Sequence, residues 1–271
     1  MDPSGFLRWG LDPEIFALGP LRPRYYGLCF LAAFYVGFYI ARWMYRRQGR
    51  DLTDLDRLLL YMMGGAVIGA RLGHCLFYDP VYYLLNPVEI LKVWHGGLAS
   101  HGGAIGIALS LWIYSRTRPD QAYLWLLDHM AVPTALGGFF IRTGNFFNSE
   151  ILGLPATVPW AVVFTRHDGL PRHPAQLYEA VAYFCIFWVL LALYRRGRDL
   201  LADGGLTGAF FVLVFGSRFL IEFVKERQAA YGEGLFLSVG QLLSIPVVVV
   251  GAVLLIRGWR GARAATPPAP D

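Results

Sequence analysis

A short block of polar and charged side chains ends one of the long apolar runs of this chain. Arg142, Asn145, Asn148 and Glu150 lie within it. Steps of three residues would place the first three on one side of a helix, where they would line a cavity. A charge in hydrocarbon costs roughly 2.5–3.5 kcal/mol, so a retained arginine usually has a function. Because a guanidinium group matches the geometry of phosphate, we expect this block to bind a phospholipid headgroup.

Further charged residues lie inside apolar runs, and three of them are candidates for a similar role. Arg71 stands in one run, and Arg218 and Glu222 stand in another, four residues apart and therefore on one helix face. A charge in the membrane must meet an opposite charge, a polar network or a charged ligand. Arg218 and Glu222 could therefore form an ion pair with each other, or both could face a bound ligand.

The glycine-rich stretch Trp94–Gly103 carries two histidines, His95 and His101. Glycine lets the backbone approach a ligand closely, and an imidazole can act as a base near neutral pH. A hydrogen-bonded residue at the membrane boundary is the alternative interpretation of His101. A metal site that also uses His74 is disfavoured, because no pair of these histidines has the i, i+4 helical spacing. We therefore predict no metal.

Membrane-spanning helices must position these groups. Of the 271 residues, 56% are hydrophobic and only 16% are charged, and the mean hydropathy is +0.44. Those values lie outside the range of soluble domains, and a spanning helix needs about 20 mainly apolar residues. We predict an all-α integral membrane protein with about seven transmembrane helices. The candidate spans are Tyr25–Tyr45, Arg57–Phe77, Gly102–Tyr114, Ala122–Phe147, Pro174–Tyr194, Gly205–Val224 and Leu237–Ile256.

Basic residues in the short loops predict the orientation. With seven spans, the arginine clusters that follow the first, third, fifth and last spans all fall on one side, which we assign to the cytoplasm. The N-terminus would then lie outside and the C-terminus inside. The net charge of +5 follows from this topology and does not indicate nucleic-acid binding.

One membrane domain is predicted over residues 1–263. Segment 148–173, which is rich in proline, is expected to form a small cap on the outer face, with Val158–Phe164 as a possible strand. Residues 264–271 are rich in proline and alanine and predict a disordered tail. Small residues at four-residue spacing predict close helix contacts in the second and third spans. They are Gly65, Gly69 and Gly73 in the second span, and Gly102 and Gly106 in the third.

The stretch Ile141–Glu150 resembles the signature of bacterial prolipoprotein diacylglyceryl transferases, which runs approximately G-R-x-G-N-F-x-N-x-E. Other parts of the chain resemble further elements of this family, in the family's order and across nearly the whole sequence. They are Arg24–Gly27, Gly69–Tyr78, His95–Gly103, His173–Glu179 and Arg218–Glu222. Two positions depart from the pattern: Ile141 stands where the family commonly has glycine, and His95 where it commonly has aspartate.

The resemblance implies seven spans in the bacterial inner membrane, with the N-terminus and a small cap in the periplasm. It also implies transfer of a diacylglyceryl group from phosphatidylglycerol to the lipobox cysteine of preprolipoproteins, which is the first step of lipoprotein maturation. This reaction forms a thioether and releases glycerol phosphate. The implied partners are phosphatidylglycerol, preprolipoprotein signal peptides and membrane lipids, and no cofactor is implied.

His101, Arg142 and Arg218 are the catalytic candidates by this resemblance. A thiol must become a thiolate to attack, and the departing phosphate gains negative charge, so the reaction needs a base and an anion clamp. His101 would take the proton, and the two arginines would hold the phosphate. The substrate-binding candidates are Arg142, Tyr26, Asn145, Asn148, Glu150, Glu222 and Arg71. Within this set, Glu150 and Glu222 are expected to fix the arginine side chains.

Two other functions remain open from the residues themselves. A lipid or solute transporter could use the same intramembrane charges as a permeation path, but transporters usually show paired halves or interrupted helices, which this sequence lacks. A different phospholipid-consuming transferase would share the arginine clamp and differ in its acceptor. An assay with phosphatidylglycerol and a lipobox peptide separates these functions.

Overall fold

The computed structural model describes residues 5–19, 22–93, 96–97, 99–197, 200–227 and 236–265. This part of the chain is mostly helical, as predicted, and its helices alternate with short loops. The helices are α1 (Tyr25–Arg47), α2 (Leu52–Phe77), α3 (Pro80–Leu85), α4 (Pro87–Ile90), α5 (Ser100–Thr117), α6 (Tyr123–Phe147), α7 (Ala175–Arg196), α8 (Gly205–Ile221) and α9 (Val239–Ala265). A 3₁₀ turn, Glu222–Val224, continues α8.

Six helices in the described residues are long and apolar enough to cross a membrane: α1, α2, α6, α7, α8 and α9. The chain is therefore a multi-pass membrane protein. The third predicted span corresponds to α5, which has 18 residues and is not among the six. Its apolar run is bounded by Ser100, His101 and two glycines at one end and by Arg116 at the other. The predicted count of seven is thus not confirmed.

The chain divides into two compact units, one of Met1–Ile40 with Asp128–Asp271 and one of Ala41–Leu127. In the second unit, α2 and α5 pack through glycines. A Cβ atom on Gly69 would lie 2.3 Å from the carbonyl oxygen of Gly102, and one on Gly106 would lie 2.0 Å from that of Gly65. Only glycine permits this approach, so the predicted contact faces are confirmed.

In the first unit, side chains fix where α8 and α9 begin. Asp128 of α6 accepts hydrogen bonds from the backbone N–H groups of Gly204 and Thr207, each at 2.7 Å, and therefore caps α8 from another helix. Ser238 and Gln241 exchange side-chain to backbone hydrogen bonds in a capping box at the start of α9. These caps set the ends of two spans that lie close to the predicted site.

The predicted cap contains a three-stranded sheet. Strand β2 (Val162–Phe164) pairs in parallel with β1 (Leu7–Trp9) and antiparallel with β3 (Pro171–Arg172). Strand β2 lies inside the predicted segment 158–164, whereas the pairing with residues 7–9 was not predicted. Buried Phe146, Leu152, Val162 and Phe164, packed with Trp9, form a small core that fixes the cap on the end of α6.

Helix α9 includes Ala264 and Ala265, which were assigned to the predicted tail. The helix therefore ends later than the sequence suggested, and the remaining tail residues, 266–271, lie outside the described residues.

Candidate active site

The Arg142 side chain is held by a carboxylate from the neighbouring helix α7. Its Nε lies 2.9 Å from Oε2 of Glu179, and the two side chains are 14% and 0% exposed. Burial of both groups makes this an intramembrane ion pair, which removes much of the cost of placing an arginine there. We expected Glu150 and Glu222 to fix the arginine side chains. The carboxylate that directly contacts the Arg142 guanidinium belongs to Glu179, which this expectation did not include.

A chain of ion pairs continues from Glu179. The Lys225 ammonium lies 3.4 Å from Oε1 of Glu179 and 3.4 Å from Oε2 of Glu222, and its side chain is only 3% exposed. Glu222 also lies against Gly240 of α9, where an added Cβ would approach the carboxylate to 2.5 Å. The order of charges is therefore Arg142, Glu179, Lys225, Glu222, with two cations and two anions alternating. Each buried charge meets an opposite one, as a low-dielectric environment requires.

A second branch leads from Arg142 to the turn after α6. Arg142 Nη1 donates to Oδ1 of Asn145 at 3.2 Å, and Asn145 Nδ2 donates to Oε1 of Glu150 at 2.7 Å. Asn148 Nδ2 donates to the same Glu150 oxygen at 3.3 Å, and Gln176 Nε2 donates to the backbone carbonyl of Glu150 at 2.7 Å. The predicted polar stripe thus forms, and Glu150 contacts Arg142 only through Asn145.

Arg218 differs from Arg142 in having no carboxylate partner within the part of the chain that the structure describes. Among the described residues, no ion pair is formed by its guanidinium, and Glu222 pairs with Lys225 instead. Of the two alternatives for Arg218 and Glu222, the intrahelical pair is therefore not the one observed. Buried Tyr183 of α7 has Arg142, Arg218 and Glu179 in its electrostatic surroundings. The site therefore contains a half-buried cation that can accept an anion.

Tyr26 packs on α6 where that helix has a glycine. A Cβ atom on Gly144 would lie 2.8 Å from Cδ2 of Tyr26 and 3.3 Å from Cβ of Cys29. Gly138 allows the same close approach to α7, since an added Cβ would lie 2.8 Å from the Tyr183 ring. Close approach to α6 thus occurs at Gly138 and Gly144, on either side of Ile141.

Arg71, in the second unit, is surrounded by backbone carbonyls. Its Nε donates to Ile90 at 2.9 Å, Nη2 to Glu89 at 2.5 Å, and Nη1 to Gly96 at 2.6 Å and Gly97 at 3.2 Å. The residue is 4% exposed, and the Tyr83 ring lies 5.1 Å from its guanidinium carbon. This guanidinium holds the loop before α5 in place and has few donors left for a ligand.

The held loop leads into His101. Gly97 has φ +70°, and an added Cβ would lie 2.6 Å from the His74 ring and 2.8 Å from Nη1 of Arg71. The backbone N–H of Ala99 then bonds the carbonyl of Ala70 at 2.9 Å, so α5 starts at a fixed place. His101 lies exposed in the first turn of α5. His95, the other predicted histidine, lies outside the described residues.

The sequence did not place Glu179, Lys225 or Tyr183 in the site. Glu179 carried a signal, because a carboxylate one turn inside a span needs a partner. Lys225 directly follows the predicted span Gly205–Val224, and its position three residues after Glu222 favours an ion pair. Tyr183 had no distinguishing pattern. In the part of the chain that the structure describes, no cluster of three or more His, Cys, Asp or Glu side chains could hold a metal ion.

Comparisons with known proteins agree on one family. A family model described as prolipoprotein diacylglyceryl transferase matches residues 13–257. The chain is 48% identical over 263 residues to the phosphatidylglycerol–prolipoprotein diacylglyceryl transferase of Chloroherpeton thalassium, covering 97% of this chain and 98% of that protein. Proteins of the same name from Tolumonas auensis and Bacteroides fragilis are 50% and 41% identical. The two alignments cover 92% and 90% of this chain, and 96% and 92% of the respective relatives.

Proposed function

Because the chain belongs to the prolipoprotein diacylglyceryl transferase family, we propose that it transfers a diacylglyceryl group from phosphatidylglycerol to a cysteine thiol of a prolipoprotein. The acceptor cysteine would be that of the lipobox in the signal peptide. The observation that carries this proposal is the pair of intramembrane arginines on α6 and α8. One is paired through Nε, and the other has no carboxylate partner among the described residues. Such a pair suits the phosphate of an anionic lipid.

The reaction breaks a carbon–oxygen bond and forms a carbon–sulfur bond. A thiolate attacks the diacylglycerol carbon that carries the phosphate ester, and the electrons of the broken bond leave with glycerol phosphate. Negative charge therefore increases on the phosphate in the transition state. Arg142 and Arg218 would stabilise that charge, since oriented donors in a site that excludes water act strongly on developing charge.

The thiol must first lose its proton. A cysteine with a pKa near 8.5 is mostly protonated at neutral pH, so a base raises the thiolate fraction. We assign this role to His101, whose imidazole can carry a proton in this pH range. Its exposed position at the start of a helix is compatible with passing the proton to water.

Other residues would position the donor lipid. Asn145, Asn148 and Tyr26 supply amide and phenol groups for the headgroup, and Glu150 orients both amides. Glu222 would act through Lys225, which also contacts the carboxylate that holds Arg142. For Arg71 the four carbonyl contacts favour an indirect role, in which it holds the loop before His101, over direct contact with lipid.

For the membrane arrangement, we infer a bacterial inner-membrane protein with a periplasmic N-terminus and a cytoplasmic C-terminus. The arginine clusters support this orientation through the positive-inside rule. Helix α5 would be a seventh, short span, and the cap would lie in the periplasm over one membrane domain of residues 1–263. The proposed reaction needs neither a cofactor nor nucleic acid.

The direct test uses purified protein in a bilayer that contains phosphatidylglycerol, together with a synthetic lipobox peptide. Mass spectrometry of the peptide should show the added diacylglyceryl group, and serine in place of the peptide cysteine should prevent the change. A peptide that stays unmodified while another acceptor is lipidated would indicate a different transferase. Movement of lipid or solute without any covalent product would indicate a transporter.

A further inference from the structure

A cavity lies outside the spans, where the cap meets the end of α6. It has a volume of about 330 Å³ and is lined by residues 149–152, by His167 of the cap and by Glu226 and Arg227 after α8. Pockets for ligands commonly begin at about 300 Å³. We name this space the cap cavity.

The wall of the cap cavity formed by residues 149–152 is strained and incompletely hydrogen-bonded. Ser149 and Ile151 have φ values of +53° and +60°, and a β-branched residue adopts such a conformation rarely. Buried oxygens of Ser149 and of the adjacent Asn148 find no hydrogen-bond partner in the described part of the chain. Strain together with unused hydrogen-bonding groups is typical of a functional site.

The lining carries charges of both signs and is not a cationic site for a phosphate. Glu150 and Glu226 contribute two carboxylates, Arg227 contributes one guanidinium and His167 an imidazole, and Arg172 lies 3.6 Å from Glu226. A second phospholipid headgroup or free glycerol phosphate would therefore lie against the Glu150 carboxylate. A polypeptide backbone is neutral and offers both donors and acceptors, which the mixed lining can satisfy.

The cap cavity is also connected to the proposed phosphate clamp. Glu150 lines it and accepts from Asn145, which accepts in turn from Arg142. A polypeptide in the cavity would thus be linked through two side chains, Glu150 and Asn145, to the residue that would hold the leaving group. Since the cavity is beyond the end of α6, its occupant would be a part of the acceptor that lies outside the membrane.

From these observations we propose that the cap cavity binds the acceptor polypeptide, at the residues that directly follow its reactive cysteine. The inference rests on the proposed transferase function and assigns the second substrate of that reaction to a place. Arg172 stabilises the lining of the cavity, because its Nη1 donates a hydrogen bond to the carbonyl of Gly153 at 2.9 Å and lies 3.6 Å from the Glu226 carboxylate. The cap would thereby set where the acceptor enters.

The test compares neighbouring residues of one loop. His167→Trp should fill the cavity. Arg166, which pairs with Asp12 at 3.3 Å, does not line the cavity, so Arg166→Ala is the matched control. We expect His167→Trp to raise the KM for a lipobox peptide about tenfold while the KM for phosphatidylglycerol stays within about twofold, and the control to change neither.

A photo-crosslinking amino acid at position 167 gives a second readout that does not need turnover. It should label the peptide at residues after the cysteine, and the same amino acid at position 166 should not. An unchanged peptide KM in folded His167→Trp without crosslinking, or a rise in the KM for phosphatidylglycerol instead, would overturn the inference. If wild-type protein transfers nothing to the peptide, the proposed function fails, whereas normal wild-type transfer with these negative results rejects only the cap cavity.

Discussion

Arg142 and Arg71 are both arginines inside apolar helices, yet the structure neutralises them differently. Arg71 donates to four backbone carbonyls and is almost fully buried. Arg142 meets one carboxylate, one amide and the Tyr183 hydroxyl, and Arg218 nearby has no carboxylate among the described residues. A guanidinium with its donors already used holds structure together, whereas one with donors remaining can bind an anion. These contacts suit Arg71 to a structural role and leave Arg142 with donors for the proposed anion.

The largest expected effect comes from Arg142→Gln. Loss of a donor that stabilises transition-state charge lowers turnover about 10²–10³-fold, and loss of the full positive charge should place this variant at the upper end. The measurement is transfer of labelled diacylglyceryl groups to a lipobox peptide. Arg142→Lys keeps the charge without the planar fork and should retain part of the activity. Wild-type turnover by folded Arg142→Gln would show that Arg142 does not bind the anion and so does not differ from Arg71 in function.

Lys225→Met tests whether the ion-pair chain supports the Arg142 region. Removing one partner of a buried pair costs about 3–5 kcal/mol, because a charge is left without compensation. Here Glu222 loses its ammonium, so the free energy of unfolding should fall by about 3 kcal/mol. Denaturant unfolding in detergent measures this change, with Lys225→Arg as the control that keeps the charge. Equal stability of the two variants would show that the chain contributes little.

Gly97→Ala and Gly96→Ala test how tightly the backbone at these two glycines packs around Arg71. Both glycines have positive φ, so alanine is strained at each, by about 1 kcal/mol. At Gly97 the new Cβ would also overlap His74 and Arg71, whereas no described residue lies within 4 Å of a Cβ at Gly96. The Gly97 variant should therefore lose about 3 kcal/mol of stability, as measured by thermal unfolding. Similar losses for the two variants would contradict the packing of this loop.

The smallest effect is a pH dependence in the cap. Hydrogen bonds from Arg172, followed by one from the Leu170 backbone, lower the pKa of Asp168 to about 2. Since this value lies below that of the unfolded chain, near 3.9, the stabilisation is present above about pH 4. It is lost as the pH falls from about 4 through 2, and its size should be about 1 kcal/mol or less.

Unfolding of the wild type and of Asp168→Asn at pH 6 and pH 3 checks this prediction. The variant should lose only the part of the pH dependence that belongs to Asp168. Identical pH profiles would mean that Asp168 does not contribute.

The sequence predicted what depends on local spacing. Arg142 and Asn145 share one face of α6 because they are three residues apart, and the glycine contacts of α2 and α5 follow from the helical periodicity. It could not predict contacts between distant segments. The pairing of β1 with β2 and the bond from Asp128 to Thr207 are of this kind.

Two features of the site needed the structure for a specific reason. Two of the four carbonyls around Arg71 belong to Gly96 and Gly97, which adopt positive φ, a conformation that the presence of glycine permits but does not require. Glu222 had two possible cations on neighbouring turns, Arg218 and Lys225, and spacing alone does not choose between them. That choice leaves Arg218 available for an anion.

The most direct test of the account is the affinity of purified protein for short-chain phosphatidylglycerol, compared between Arg142→Gln and Arg71→Gln well below their melting temperatures. We predict that Arg142→Gln weakens binding about tenfold or more, as expected when a charged hydrogen-bonded partner is lost. Arg71→Gln should bind within about twofold of the wild type, although it is less stable. Equal loss of affinity in both variants, or loss in Arg71→Gln alone, would contradict the division between a binding and a structural arginine.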